Sequence, residues 1–273
     1  MFSRVASQIA NRVYESGVQA SVVLADPATG EQFDLRGLQR LKSASLIKLP
    51  ILWDLFARAE EGSLNLSETI VVPSEKRVDG GLLHKFSASP TLRLEDLAVL
   101  AGTVSDNTAA NLLMDRLGLD GINDRIRSLG MKSTSLERRM LDSGAAKAGK
   151  DNWTTTCDVA LFLSALTSPG KTAGLSEAGK RRIIDILSAQ KLQSKLAGAI
   201  PCDDVDDLEK VLAHKTGELP GHEHDAGIFF PFGPRPAVLV VLTTGLTDRL
   251  DGVRFCSALG RLVYDEWKAL QPS

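Results

Sequence analysis

The run Lys42-Ser43-Ala44-Ser45-Leu46-Ile47-Lys48-Leu49-Pro50-Ile51-Leu52-Trp53 sets a serine and a lysine three positions apart at the head of an apolar stretch. Read as the opening of a helix, it puts the Ser45 hydroxyl and the Lys48 amine on one face, about one turn apart. That pairs a nucleophile with a base. Leu46, Ile47, Leu49, Ile51 and Trp53 bury the lysine in this reading, and desolvation disfavours the ammonium, making a neutral amine available to take the serine proton. Pro50, inside the helix, predicts a kink where the backbone loses a donor. The same four-residue pattern recurs at Ser168-Pro169-Gly170-Lys171 and Ser188-Ala189-Gln190-Lys191, so alone it equally describes a helix N-terminus with an incidental lysine.

Upstream of this run, Val5, Ile9 and Val13 repeat at helical spacing after Ser3 as a cap, which predicts a helix over 3–16. Ala20 to Ala25 is a short apolar run, Asp26-Pro27-Ala28-Thr29-Gly30 is turn chemistry and Glu31 to Leu35 alternates, so a hairpin follows. Downstream, Thr69-Ile70-Val71-Val72 is a short extended piece. Helical patterns then succeed one another at Leu94 to Ala101, Asn107 to Leu117, Gly121 to Leu129, Thr156 to Leu166 and Ser176 to Ala189, two of them closed by Gly118 and Gly130. Val211 to His214, Ala226 to Phe230 and Ala237 to Leu242 have the character of strands, and Cys256, Leu259, Val263 and Trp267 mark a final helix.

Strands near both ends with a helical middle predict an α+β fold. A terminal antiparallel sheet covered by helices would comprise 1–40 and 191–273, with an all-α lobe inserted over 41–190 and the site in the cleft between them. The 273 residues suffice for a sizeable core. A formal net charge of -2 gives no basic surface for nucleic acid or acidic lipid. The expected partner is a small-molecule substrate, not nucleic acid or membrane. The opening Met1-Phe2-Ser3-Arg4-Val5-Ala6-Ser7-Gln8-Ile9 lacks a basic segment followed by a continuous apolar one, and no later run is long enough to span a bilayer, so the expected location is cytoplasmic. Cys157, Cys202 and Cys256 are too widely spaced for a metal-type pair or a disulfide framework, and no cofactor is indicated.

Two further tripeptides give the Ser45 run its context. Ser105-Asp106-Asn107 lies between helical segments and Lys215-Thr216-Gly217 follows a strand. Singly, they are a helix cap and a strand end. Together with Ser45 and Lys48, in this order and spacing, they form the motif set of class A β-lactamases and penicillin-binding proteins. The chain therefore resembles the penicillin-recognising serine hydrolases over nearly its whole length, and among them looks most like class A β-lactamases. The resemblance implies the β-lactamase/transpeptidase-like fold, with Ser45 the acylated nucleophile, Lys48 its proton acceptor and Ser105 a relay to the leaving nitrogen. It implies that Asn107 orients Lys48 and a substrate amide, that Lys215 and Thr216 hold a substrate carboxylate, and that Gly217 lets the substrate lie along the strand edge. Acyl transfer needs two donors for the developing oxyanion. The Ser45 N–H at a helix start is one; the other, by resemblance, is the N–H of Glu218, where family members often carry a small residue.

The chain departs from the class A pattern in the deacylation loop. Aligning Leu136-Glu137-Arg138 on the family's Leu-x-Arg puts the water-activating Glu position at Met140, which cannot act as a base. Glu137 and Asp142 are the nearby carboxylates; they serve only if the loop is remodelled, and otherwise pair with Arg138, Arg139 or Lys147. The stretch from Asp142 to Thr156 resembles a subgroup of β-lactamase-like hydrolases with an Arg-x-Met-x-Asp signature and an Asn-x-Thr-Thr helix entry. The expected function is a serine hydrolase forming an acyl-Ser45 intermediate on a β-lactam or related amide or ester, with slow deacylation. The alternatives are a covalent penicillin-binding sensor without turnover, and a serine glutaminase or acyltransferase. His222-Glu223-His224-Asp225 lacks the i, i+4 spacing of a helical metal site and is expected in a loop rimming the cleft, so no metal is assigned. His214 is expected to be packed, facing away from the site.

Overall fold

The structure, a computed structural model, describes residues 1–202 and 204–271. In chain order the elements are α1 (Phe2–Ser16), β1 (Gln19–Asp26), β2 (Glu31–Leu35), β3 (Leu41–Lys42), α2 (Lys48–Glu60), β4 (Thr69–Val71), β5 (Thr91–Arg93), α3 (Leu94–Thr103), α4 (Asn107–Leu117) and α5 (Leu119–Ser128). They continue with α6 (Ser143–Lys147), β6 (Trp153–Thr154), α7 (Thr156–Thr167), α8 (Glu177–Ser188), α9 (Val205–Val211), β7 (Leu212–Leu219), β8 (His222–Phe229), β9 (Ala237–Thr244) and α10 (Arg249–Lys268).

Five strands form one antiparallel sheet in the order β2-β1-β9-β8-β7. The first hairpin of the chain thus pairs with its last strand, in the register Val22↔Val241 and Leu24↔Leu239. Because side chains alternate along a strand, β1, β7, β8 and β9 each feed two cores. Val23, Ala213, Ile228, Val238 and Val240 pack with α2, α3, α4, α7 and α8, whereas Val22, Leu24, Leu212, Phe229, Leu239 and Val241 pack with α1 and α10. The α+β, β-lactamase/transpeptidase-like architecture expected from the sequence is the one observed.

Several local features differ from expectation. Ser3 lies inside α1, whose N-cap is Met1 without a side-chain bond. Pro50 introduces no break, because it is the third residue of α2, in the first turn, where a backbone N–H has no intrahelical acceptor. The middle of the chain is not purely helical. Thr69–Val71 pairs with Thr91–Arg93, and Leu41–Lys42 pairs with Trp153–Thr154, each a two-stranded ribbon joining segments far apart in sequence. Val211 ends α9 instead of opening a strand, and β7 runs on through Lys215-Thr216-Gly217 to Leu219. His222 to Asp225 begin β8 and do not form a loop.

Candidate active site

Ser45 sits in a single 3-10 turn, Ala44–Ile47, that feeds directly into α2. Ala44 holds φ 47, a left-handed conformation uncommon for a residue with a Cβ. Because the turn's first bond runs from Leu46 N to Ser43 O, the Ser45 N–H precedes it and has no partner within the turn. Helix α2 is buried from Lys48 through Ala57, so its first residue is carried into the interior with it.

Lys48 Nζ is fully buried and lies within hydrogen-bond distance of four oxygens: Ser45 Oγ at 3.2 Å, Ser105 Oγ at 3.0 Å, Ser105 O at 2.6 Å and Asn107 Oδ1 at 2.8 Å. The last two can only accept. A neutral amine has two N–H groups and one lone pair, so the carbonyl and the amide oxygen take both hydrogens and the lone pair is left facing the two hydroxyls. Burial lowers the Lys48 pKa well below its ordinary value, the nearby Lys215 lowers it further, and the Asp106 carboxylate opposes both. The arrangement can therefore withdraw a proton from Ser45 and pass one through Ser105.

Ser105 also adopts a left-handed φ, 55. Asp106 follows as the N-cap of α4, accepting from Ala109 N at 2.9 Å, and it reaches back to accept from Leu82 N at 2.7 Å and Leu83 N at 2.8 Å. The loop before these residues is shaped for that contact: a Cβ on Gly81 would stand 2.4 Å from Asp106 Cα. Asp79 O accepts from Asn107 Nδ2 at 2.8 Å, which turns Asn107 Oδ1 toward Lys48.

Strand β7 is the sheet's edge. Val211 O accepts from Phe230 N at 2.7 Å, which marks 211 and 230 as a hydrogen-bonded pair. Alternation along an antiparallel ladder then makes Gly217 bond to β8 and turns the N–H and C=O of Glu218 to the free edge. Gly217 is packed against the serine: a Cβ there would lie 3.1 Å from Ala44 Cβ and 3.4 Å from Ser45 N. Lys215 is buried, donates to Thr216 O at 3.0 Å, and has its pKa lowered to about 7, mainly by burial, with Asp225 opposing. Glu218 Oε1 lies 3.3 Å from Lys195 Nζ and 3.4 Å from Arg249 Nη2. Burial alone would raise its carboxyl, yet these two cations together hold it below the usual range.

The loop over 136–152 is pinned at its neck and at Met140. Asn152 Oδ1 accepts from Glu137 N at 2.8 Å and Arg138 N at 3.1 Å, while Asn152 O accepts from Ser43 N at 2.8 Å, so the neck is tied beside the serine turn. Asn111 grips the Met140 backbone from α4. The Glu137 carboxylate accepts from Ser135 Oγ at 2.8 Å and lies 3.6 Å from Arg40. Asp142 caps α6 by accepting from Ala145 N at 2.8 Å. Both expected carboxylates are thus engaged within their own loop and its neighbours.

His224 and His214 are packed inside the fold. His224, expected in a loop at the rim, is buried in β8; its Nδ1 accepts from Thr243 N, which assigns the proton to Nε2 facing Lys42 O at 2.9 Å. Burial pushes its pKa down to about 3. His214 is packed as expected, with Nδ1 3.0 Å from both Asp225 oxygens. Among the described residues no group of His, Cys, Asp and Glu is placed to hold a metal ion, and no helix is long and apolar enough to cross a membrane.

Asn111 and Lys195 belong to this neighbourhood without having been singled out from the sequence, whereas Asn152 opens the Asn-x-Thr-Thr signature. Asn111 had a signal, being four residues past Asn107 and so on the same face of α4. Lys195 had none, because tertiary folding alone brings it under β7.

Comparison with known proteins bears on the family and the fold. The profile of the beta-lactamase enzyme family matches residues 4–267. Beta-lactamase CARB-4 of Pseudomonas aeruginosa is 30% identical over 148 residues, 53% of this chain and 51% of its own, so the chain spans about half the length of that relative. Beta-lactamase AER-1 of Aeromonas hydrophila is 27% identical over 84% of this chain and 75% of its own. The beta-lactamase regulatory protein BlaB of Streptomyces cacaoi is 22% identical over 81% of this chain and 83% of its own. Among solved structures, the beta-lactamase of Sphaerobacter thermophilus superposes with a TM-score of 0.85 at 29% identity, covering 100% of this chain and 99% of the other.

Proposed function

The chain belongs to the beta-lactamase enzyme family, and on that premise we propose that it is a serine hydrolase that opens a β-lactam, or a related amide or ester, through an acyl-Ser45 intermediate. The observation that carries this reading is the placement of Lys48 Nζ 3.2 Å from Ser45 Oγ and against the two acceptor-only oxygens of Ser105 and Asn107, which in the neutral amine leaves the lone pair for the hydroxyls. In the proposed step Ser45 Oγ gives its proton to Lys48 Nζ and bonds to the substrate carbonyl carbon. The carbonyl oxygen takes the negative charge between the N–H groups of Ser45 and Glu218. The proton passes from Lys48 by way of Ser105 Oγ to the leaving nitrogen, the C–N bond breaks, and Lys48 is neutral again. Lys215 and Thr216 hold the substrate's carboxylate, Asn107 its amide, and Gly217 leaves room for it along the free edge of β7. The substrate lies between the sheet segment, 1–40 with 191–273, and the helical segment, 41–190.

Deacylation adds water across the Ser45 ester, and it is proposed to be slow. Met140 stands where the resemblance expects a carboxylate, and Glu137 and Asp142 are committed to other partners. The same observations favour a second reading, a covalent sensor that is acylated once; the relative named a beta-lactamase regulatory protein suits it.

The test is to incubate the protein with a chromogenic cephalosporin and with benzylpenicillin while following turnover and intact mass. Sustained turnover supports the hydrolase, and a stable single adduct that is missing in Ser45→Ala supports the sensor. The absence of both turnover and adduct would remove β-lactams as substrates.

A further inference from the structure

A cluster of charge, buried at Lys195 and Glu223 and exposed at Glu218 and Arg249, lies behind the acylation centre. Lys195, fully buried, donates to Gly217 O at 2.9 Å and to His224 O at 3.2 Å, and its Nζ lies 2.6 Å from Glu223 Oε2 as well as 3.3 Å from Glu218 Oε1. Arg249 closes the cluster, with Nε 2.8 Å from Glu223 Oε1. Two cations face two carboxylates, so the cluster adds no net charge, yet the Lys195 ammonium also reaches two carbonyl oxygens, of which Gly217 O is the nearer.

The identity of that oxygen matters. Gly217 C=O and Glu218 N–H belong to the same peptide unit, which is planar, with the two groups pointing in opposite directions. The carbonyl faces β8; the N–H faces the free edge beside Ser45. A cation on the carbonyl end fixes the tilt of the unit. A charge-assisted hydrogen bond at one end of an amide also polarises it, making the N–H at the other end a stronger donor. Glu218 would oppose an oxyanion through its own charge, but its carboxylate is paired with Lys195 and Arg249.

We propose that Lys195 is a positioning residue for the oxyanion donor: bound to Gly217 O, it orients and polarises the Gly217–Glu218 peptide so that the Glu218 N–H stabilises the charge developing on the substrate carbonyl. The inference rests on the acyl-Ser45 reading above. Lys195 touches no reacting atom, and no bond to it forms or breaks.

The test compares Lys195→Met, Lys195→Arg and the double variant Lys195→Met/Glu223→Met with the intact chain. The double variant removes both members of the buried pair, which avoids leaving a lone buried carboxylate that could unfold the single variant. Two quantities are read: the acylation rate with a chromogenic cephalosporin, and the infrared stretching frequency of the acyl-Ser45 ester carbonyl. The expected result is acylation slowed by about 10- to 100-fold, somewhat less than loss of a whole oxyanion donor. The carbonyl frequency should rise toward that of a free ester, and Lys195→Arg should restore both. A folded double variant with the wild-type frequency would overturn the proposal, whatever its rate, because a merely structural lysine would not alter that frequency. Neither acyl-enzyme nor turnover being detected on the intact chain would remove the acyl-Ser45 reading and this inference with it, a result distinct from normal acylation that Lys195 does not influence.

Discussion

Asn111 holds Met140 by both halves of its amide: Oδ1 accepts from Met140 N at 2.7 Å and Nδ2 donates to Met140 O at 3.1 Å. The backbone at the position expected to carry the deacylating base is thus fixed from α4 whatever side chain it bears. Met140→Glu should therefore place a carboxylate at a prepared position. A general base contributes about 10²- to 10⁴-fold, so the acyl-Ser45 adduct should clear at least about 10-fold faster, followed as recovery of the unmodified mass after excess β-lactam is removed. An unchanged lifetime would mean that the side chain at 140 does not reach the ester. Met140→Glu with Asn111→Ala should lose most of the gain, because the clamp is then gone.

Lys48 carries the proton-transfer argument. Replacing it with Ala should abolish acylation while leaving the Ser45 turn in place, and normal adduct formation in that variant would refute its role as base. Because burial depresses its pKa, the neutral form is present well below the usual lysine range. The acylation rate should rise with pH through that depressed pKa and then level off. Asp106 opposes the depression, and Asp106→Asn keeps a side-chain oxygen for the α4 cap. In that variant the rising limb of the pH profile should move to lower pH; a shift to higher pH would contradict the electrostatic assignment.

What was legible in the sequence and what was not follow from the range of the interactions. Ser45 and Lys48 are joined by a single turn, and Ser105-Asp106-Asn107 and Lys215-Thr216-Gly217 are contiguous, so each signal is local and survives without coordinates. The hairpin at Asp26 to Gly30 and the apolar strands are local in the same way. The extent of β7 was not legible, because polar residues at Lys215 and Thr216 break the apolar pattern, while pairing with β8 keeps the backbone extended. The same pairing carries His222 and His224 out of a predicted loop and into a strand. The Lys195 cluster is the extreme case, as its partners come from β7, β8 and α10 and nothing in the residues around Lys195 announces them.

Lys215 supplies a second pH dependence, of opposite sense for binding. With its pKa lowered to about 7, it loses its charge as pH rises above that value, whereas an unfolded lysine keeps its proton to about 10.4. KM for a substrate with a carboxylate should rise between about pH 7 and 9, and a neutral ester analogue should show no such rise. The sign for stability is the reverse. Over the window from about 7 to the unfolded value the unfolded chain binds more protons, so this group makes unfolding harder as pH rises. Lys215→Met should flatten both dependences, and a KM that stays level for the anionic substrate would remove Lys215 as its partner.

Gly217 tests whether the substrate and the serine share the edge of β7 as closely as the geometry requires. Its backbone lies outside the left-handed region in which glycine is needed for conformational reasons, so the argument for glycine here is one of space. A methyl group at this position would stand 3.1 Å from Ala44 Cβ, 3.3 Å from His224 Cβ and 3.4 Å from Ser45 N. Each of these neighbours is anchored: Ala44 by the serine turn, His224 by its bonds to Lys42 O and Thr243 N. The strand and the turn must therefore part slightly, which alters the separation of the Ser45 and Glu218 N–H groups. Gly217→Ala should cost about 1–3 kcal/mol of stability, as overpacking of a rigid site does. It should lower the acylation rate by a larger factor than any change in KM, because a displaced oxyanion donor acts on the transition state more than on the bound substrate. The measurement is kcat and KM for acylation alongside the melting temperature, and a variant that melts earlier yet acylates normally would show that the spacing between turn and strand is not what sets the rate.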